Sequence, residues 1–348
     1  MKNSVGPTGP DFKHFKSVKP QAVKVSATEL IKRSCLDGSN FLVIEPAIEG
    51  VNLIIWAEEH RTEIEEALLS NGAILFRGLH GEDVHEFHDF ARTIAPELLD
   101  YKERSSPRSE IARGIYTSTD YPSDQNIEFH NEQSYSQSWP MKLFFYCSQP
   151  AIRGGATLIA DARKVLELLD AAIKEKFLSR RVRYVRNYIE GLGLTWQEAF
   201  QTSDKDKVDR YCRESMIDFE WKERDSLKTS QVFDTIVAHP RTGELVWFEH
   251  AAFFHVSSLA PHLQEMLMKS YEVEDLPFNT YYGDGTPIES STLDQIRRVY
   301  RHLTVRVPWQ KGDVLLLDNM LTSHGRESFD GPRKVLVAMA DLYLKSSM

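Results

Sequence analysis

His130, Asn131 and Glu132 form a histidine–x–glutamate motif. A second histidine, His324, stands far downstream in the run Asp318-Asn319-Met320-Leu321-Thr322-Ser323-His324. Two imidazoles and one carboxylate can hold a divalent iron on one face and leave the other face open to a co-substrate and dioxygen. On extended backbone, side chains two apart point the same way. His130 and Glu132 therefore project together, with Asn131 turned away. The third ligand has to come from elsewhere in the fold. His324 follows the apolar run Val314-Leu315-Leu316-Leu317 through the turn pair Asp318-Asn319, so a strand-end histidine facing the same cavity is expected. Plainer uses exist for the same residues: a lone H-x-E recurs by chance, and a histidine after a buried strand can be a capping or core polar group.

If the iron uses a 2-oxo acid, its distal carboxylate needs a cation in the pocket. Arginine suits this best, because its planar fork gives a carboxylate two parallel hydrogen bonds. Arg333 lies shortly after His324, at the start of the C-terminal strand, with Lys334 beside it and pointing to the opposite face if that strand has begun. Thr157, after Gly154-Gly155, is placed to add a hydroxyl to the same anchor. Read singly, Arg333 is a surface charge beside Pro332 and Thr157 a β-branched strand filler. Asn126, Glu128, Gln133 and Tyr135 flank the metal motif and are candidate substrate contacts, since a polar substrate needs hydrogen-bonding groups near the ligands. Glu128 would suit an amino group. Other histidines carry less. His80, His85 and His88 cluster near acidic residues, with 85 and 88 on one helix face and no third ligand evident. His239, His250 and His255 are scattered, and Trp247-Phe248-Glu249-His250 reads as a core strand that could reach the pocket.

These side chains need a frame of strands. Ala73-Ile74-Leu75-Phe76, Lys142 to Cys147, Ala156 to Asp161, Glu244 to Phe248, Val305 to Val307, Val314 to Leu317 and Val335 to Leu344 are short apolar runs of strand length. Helical spacing appears over 56–70, closed by Gly72 as a C-terminal cap, over 83–99, over 165–177 and over 291–302. Residues 100–129 are polar and loop-like, just ahead of the metal motif, where functional loops are expected. Residues 1–25 read as a loosely attached arm, and 26–348 as a single domain with a helical insertion around 180–235. Many short strands with helices in the first half and the insertion predict a mainly β fold with helical decoration.

The 348 residues are 41% hydrophobic and 27% charged, ordinary for a globular chain able to bury a full core without disulfides. The net charge is -9, and no lysine or arginine run offers a phosphate-tracking stripe, so nucleic acid is not an expected partner. Three widely spaced cysteines, Cys35, Cys147 and Cys212, fit free buried thiols in a reducing, cytoplasmic setting. No stretch has the roughly 20 apolar residues of a membrane span.

Longer stretches carry a resemblance. Phe129-His130-Asn131-Glu132, then Trp139-Pro140-Met141-Lys142-Leu143-Phe144-Phe145-Tyr146-Cys147, Pro150-Ala151 and Gly154-Gly155-Ala156-Thr157 are similar to the clavaminate synthase-like branch of the taurine dioxygenase family. So are Val307-Pro308-Trp309-Gln310-Lys311-Gly312-Asp313 through Asp318-Asn319, His324-Gly325-Arg326, and Phe329-Asp330-Gly331-Pro332-Arg333-Lys334. The likeness spans about residues 70 to 344.

It implies a double-stranded β-helix (jelly-roll) core, iron(II), 2-oxoglutarate and dioxygen. It places the metal on His130, Glu132 and His324, and the co-substrate on Thr157 and an arginine at or near Arg333, with Arg326 and Lys334 as alternatives. Glutamate at 132, where many relatives have aspartate, marks the branch, and its presence argues against halogenation. Val337 or Ala338 stands where the taurine branch has a second arginine, which disfavours a sulfonate substrate. Within the family the chain resembles bacterial enzymes that hydroxylate small amino-acid-like substrates, free or carrier-protein-bound, in natural-product biosynthesis. A desaturase or cyclase would share every ligand, and a non-catalytic jelly-roll binding protein is the remaining alternative.

Overall fold

The computed structural model describes residues 30–79, 84–100, 108–118, 121–191 and 193–345. The arm expected over 1–25 and His80 lie outside them. Two long strands, Ser138–Gln149 and Lys334–Leu344, form the spine of an eight-stranded sheet. Its order is Ile31–Cys35, Leu42–Pro46, Ala73–Phe76, Val314–Asp318, Ser138–Gln149, Lys334–Leu344, Ile115–Thr117 and Glu110–Ala112. Pairing is antiparallel except between Leu42–Pro46 and Ala73–Phe76.

The spine strands read as continuous apolar runs because both of their faces are covered. Phe144 and Tyr146 join Val314, Leu316, Leu336, Ala338 and Ala340 in one apolar cluster beneath the helices Leu53–Glu59, Arg61–Asn71 and Val84–Ile94. The alternate residues, Leu143, Phe145 and Cys147 with Leu315, Leu317, Val335, Val337 and Met339, build a second cluster that also takes in Ile159 and Val307 from a smaller sheet. The period-two side-chain pattern of a strand thus separates the helix-facing layer from the inter-sheet layer. Val84–Ile94 presents Phe87, Phe90, Ala91 and Ile94 on one buried stripe. Phe87 stacks on Tyr146 at 5.0 Å between ring centroids, and Phe90 meets Phe76 edge-on at 5.0 Å.

The smaller sheet has the order Val305–Val307, Thr157–Asp161, Thr322–Arg326, Ile127–His130. It faces the large sheet across the second cluster, and its far side carries Phe129 and Ala160 into a third cluster with Val165, Phe177, Tyr184 and Trp247. These two sheets are the layers that hold the candidate ligands.

Three expectations about elements change in detail. The helix read over 56–70 is two helices that break at His60, and Asn52 caps the first by accepting from the Ile54 and Ile55 amides. Gly72 closes the second in the left-handed conformation, φ 78. The helix read over 165–177 is likewise two, Ala162–Leu168 and Ala171–Arg180, because Asp170 turns its carboxylate onto the Ala172 amide and starts a new N-terminus. The segment 180–235 does carry helices, Trp196–Phe200 and Lys205–Glu214, but it also supplies three strands of a further sheet, ordered Asp218–Lys222, Ser226–Phe233, Val182–Tyr188, Phe278–Tyr282. Ser226–Phe233 alternates half-buried and buried positions through polar residues, which hides it from a reading keyed to apolar runs. Cys147 and Cys212 are buried while Cys35 is exposed. Among the described residues no helix is long and apolar enough to cross a membrane.

Candidate metal centre

The strand Thr322–Arg326 pairs antiparallel with Ile127–His130, and the register sets His324 directly opposite His130. Gly325 makes this approach possible, since a Cβ there would lie 2.6 Å from the Ile127 carbonyl oxygen. Glu132 follows two residues after His130, just past the strand end. Potential ligand atoms of His130, Glu132 and His324 all lie within 4.8 Å of one another, and among the described residues this is the one such group able to hold a metal. All three side chains are buried. His85, His88, His239, His250 and His255 belong to no such group.

The turn after Val314–Asp318 is tied down by its own side chains. Asp318 Oδ1 accepts from the Met320 and Leu321 amides at 2.9 Å each, while its Oδ2 accepts from His239 Nε2 at 3.1 Å. Asn319 is completely buried and bridges to the metal motif: its Oδ1 accepts from the Glu132 amide at 2.8 Å, and its Nδ2 donates to the Glu132 and Pro140 carbonyls at 2.9 Å each. Asn131 points away from the ligand pair, as alternation requires. Its Nδ2 donates to the Asn319 carbonyl at 2.7 Å and its Oδ1 accepts from Ser323 Oγ at 3.0 Å. The residues next to each ligand therefore bind one another, which fixes the ligands' backbone. Replacing Asn319 by alanine is expected to weaken Mn(II) binding about 10- to 100-fold, the usual scale for groups that orient metal ligands. It should also lower unfolding free energy by about 1–3 kcal/mol, because buried partners lose their bonds. Calorimetric Mn(II) titration and chemical denaturation check both, and unchanged Mn(II) affinity would reduce Asn319 to a turn residue.

The donor set fits a divalent metal on two further observations. His130 Nδ1 donates to the Glu128 carbonyl at 2.9 Å, which fixes the tautomer that leaves Nε2 as the ligand atom. His324 Nδ1 is a buried ring nitrogen with no hydrogen-bond partner among the described residues. Burial pushes the His130 imidazole below its ordinary range and the His324 imidazole well below it. Both rings are thus held neutral, the form that binds metal.

A cavity opens from this group, lined by His130, His324, Thr157, Arg326, Arg333 and Arg108. Thr157 Oγ1 accepts from Trp309 Nε1 at 3.1 Å. Arg333 donates from Nε to the Gly155 carbonyl at 2.9 Å and lies over the Phe329 ring. The close pass of Gly155, whose added Cβ would meet Arg333 Cδ at 3.0 Å, explains the glycine pair ahead of Thr157. Burial, and after it the neighbouring Arg326 charge, lowers the Arg333 guanidinium to about 10, so a carboxylate partner would relieve both costs. Arg326 is committed elsewhere: its two terminal nitrogens donate to the carbonyls of Tyr121, Pro122 and Gln125 at 2.6 to 3.1 Å. Lys334 is exposed on the strand Lys334–Leu344.

The four expected substrate contacts do not line this cavity. Asn126 is exposed, and its Oδ1 accepts from the Ser328 amide at 2.7 Å. Tyr135 is buried in the core against Phe254 and His250. Gln133 is buried in the left-handed conformation, φ 56. Glu128 meets the site through its backbone carbonyl. In their place stands Arg108, which no sequence signal marked. It is buried, and its Nη2 donates to Glu132 Oε2 at 2.7 Å. His250 also comes close, its ring centroid 4.8 Å from that of His130, while its neighbour Glu249 accepts from the Ala251 and Ala252 amides at the start of the next helix.

The sequence profile of the taurine catabolism dioxygenase TauD, TfdA family matches residues 41–339. The chain belongs to this family. It is 40% identical over 278 residues to the dapdiamide synthesis protein DdaC of Enterobacter agglomerans, a match that covers 80% of this chain and 84% of that one. It is 28% identical over 306 residues to a clavaminate synthase-like protein of Arabidopsis thaliana, covering 84% and 89%. The fold is similar to that of PvcB from Pseudomonas aeruginosa, with a TM-score of 0.55 at 15% identity over 92% and 94% of the two chains. PvcB is described as an Fe, alpha-ketoglutarate dependent oxygenase from an isonitrile synthetic pathway. The jelly-roll core and the family expected from the flanking motifs are thus those observed.

Proposed function

We propose that this chain is an iron(II)/2-oxoglutarate-dependent dioxygenase that hydroxylates an unactivated C–H bond of a small amino-acid-like substrate, free or carrier-protein-bound, in natural-product biosynthesis. The observation that carries this reading is one cavity lined both by the two histidines of a buried two-histidine, one-carboxylate group and by a desolvated arginine and a threonine. The similarity to DdaC, a dapdiamide synthesis protein, supports the biosynthetic setting. We place the protein in the cytoplasm, where thiols such as buried Cys147 and Cys212 stay reduced.

His130, Glu132 and His324 would hold the iron, and Arg333 with Thr157 the distal carboxylate of 2-oxoglutarate. Bound there, iron(II), 2-oxoglutarate and dioxygen supply the oxidising power to remove hydrogen from a carbon that no side chain could activate. The chain's own work is positioning and exclusion. Asn319 and Asn131 fix the backbone on which the ligands stand. Phe145, Ile127 and Val335 give the cavity apolar walls that keep water from the reacting atoms. Under anaerobic conditions, protein mixed with iron(II) and 2-oxoglutarate is expected to show a weak visible charge-transfer band, and air should then yield succinate. Absence of both band and succinate would end the oxygenase reading.

A further inference from the structure

Arg108 belongs to the site, although neither the ligand set nor the co-substrate anchor includes it. Its Nη2 donates to Glu132 Oε2 at 2.7 Å, and both side chains are buried, 4% and 2% exposed. Charge-assisted bonds of this kind are the short, strong ones. Glu132 is therefore held at both ends. Asn319 binds its amide and its carbonyl, and Arg108 binds one oxygen of its carboxylate. Arg108 also lines the cavity with His130 and His324. Its charge reaches both rings: after burial, and for His130 against the pull of Glu132, it helps to lower each imidazole.

A carboxylate can hold a cation through one oxygen or through both. Glutamate serves calcium sites as a two-oxygen ligand, and its extra torsion gives it more freedom than aspartate to swing into that mode. The difference matters here. A six-coordinate ion held by one atom from each of His130, Glu132 and His324 keeps three positions open. A 2-oxo acid chelating through its keto acid end takes two, and dioxygen needs the third. A second oxygen from Glu132 would close it. Arg108 opposes that closure in two ways. Its donor hydrogen occupies Oε2, and its positive charge repels a dication from that oxygen's side.

We propose that Arg108 is a positioning residue that keeps Glu132 a one-oxygen ligand, so that the metal group retains a position for dioxygen. This rests on the oxygenase reading for what enters the open positions, and the test separates the two.

Protein is loaded with Mn(II), and loading is read by calorimetry. The field dependence of water-proton relaxation then counts the waters exchanging on the bound ion. Wild-type protein is expected to hold about three waters, and about one after saturation with N-oxalylglycine, which fills the 2-oxoglutarate position without turnover. Arg108→Met should hold about two, and with N-oxalylglycine about none. Arg108→Lys, which keeps a charged donor, should restore the wild-type counts. If the methionine variant does not fold, Arg108→Gln carries the same test with the same expected fall, because its neutral amide keeps the buried carboxylate partnered but does not repel the ion. A residue that only packs against Glu132 would change stability and leave the counts alone. About two waters on wild-type protein alone, counts unchanged in the uncharged variant, or loss of Mn(II) from that variant altogether would overturn the proposal and leave the oxygenase reading standing. Wild-type protein that binds neither Mn(II) nor N-oxalylglycine would overturn both.

Discussion

Replacing His324 by alanine is expected to weaken metal binding by more than about a hundredfold, since even groups that merely orient a ligand are worth about 10- to 100-fold. The two ligands left, His130 and Glu132, are neighbours on one segment and cannot surround an ion without the residue facing them across the strand pair. The fold should tolerate the change. His324 Nδ1 has no hydrogen-bond partner among the described residues, so truncation leaves no donor or acceptor stranded on that side. Its neighbours Thr322, Ser323 and Gly325 keep the ladder to Thr157–Asp161. The cost is a cavity left by the ring beside Phe145, which lies 5.2 Å away between centroids, on the scale of about 2–4 kcal/mol for a large-to-small change in a packed site. Mn(II) calorimetry and a denaturation curve on the same sample separate the two effects. Retained tight binding would remove His324 from the ligand set.

The second large effect is expected at Arg333. Arg333→Met keeps most of the volume and removes the charge, so it should raise the 2-oxoglutarate concentration needed for half-maximal turnover about tenfold to a hundredfold. Metal binding should be nearly unchanged, because among the described residues Arg333 bonds to the Gly155 carbonyl and to none of the three ligands. Turnover at saturating 2-oxoglutarate should fall much less than affinity, the pattern of lost binding that is equal in ground and transition states. The variant should fold at least as well as the parent, since a half-buried guanidinium held down to about 10 by desolvation and by Arg326 is itself a cost to folding. If the 2-oxoglutarate requirement did not move, the anchor would pass to Arg326, whose charge lies in the same cavity. Lys334 is exposed and does not line that cavity.

Legibility from sequence followed physical regularity. The strands Val314–Asp318, Thr157–Asp161 and Lys334–Leu344, which precede His324, carry Thr157 and follow Arg333, are legible because they are short apolar runs bounded by glycine, aspartate or proline, whereas Thr322–Arg326, which carries His324 itself, is polar and shows no such signal. The shared face of His130 and Glu132 was readable because extended backbone alternates. Asn319 was visible only as half of a turn pair. Its bonds to Glu132 and Pro140 are contacts distant in sequence, and nothing local announces them. Arg108 stands in a polar stretch without period, where one arginine looks like any other. Its meaning comes from burial against Glu132, which only the fold decides. Asn126, Glu128, Gln133 and Tyr135 show the same limit in reverse, since none of them lines the cavity. Nearness in sequence to a ligand does not carry over to the cavity, because the chain leaves the strand at His130 and buries Tyr135 in the core. The sheet within 180–235 was missed because its strands alternate with polar residues, while its helices have ordinary apolar stripes.

The pairing of His130 with His324 has a consequence for how the molecule is made. Closely spaced ligands let a metal seed structure in a short peptide, because the ion closes a small loop. Here the ion would join strands from the first and last parts of the chain, a closure whose entropy must be met before any ligand field exists. Metal capture is then a late event in folding, and affinity for the ion reports on whether the C-terminal strands have docked. A nascent chain would meet its iron only once Thr322–Arg326 has found its place between Thr157–Asp161 and Ile127–His130, so the redox-active ion would be admitted only to a sheet already assembled.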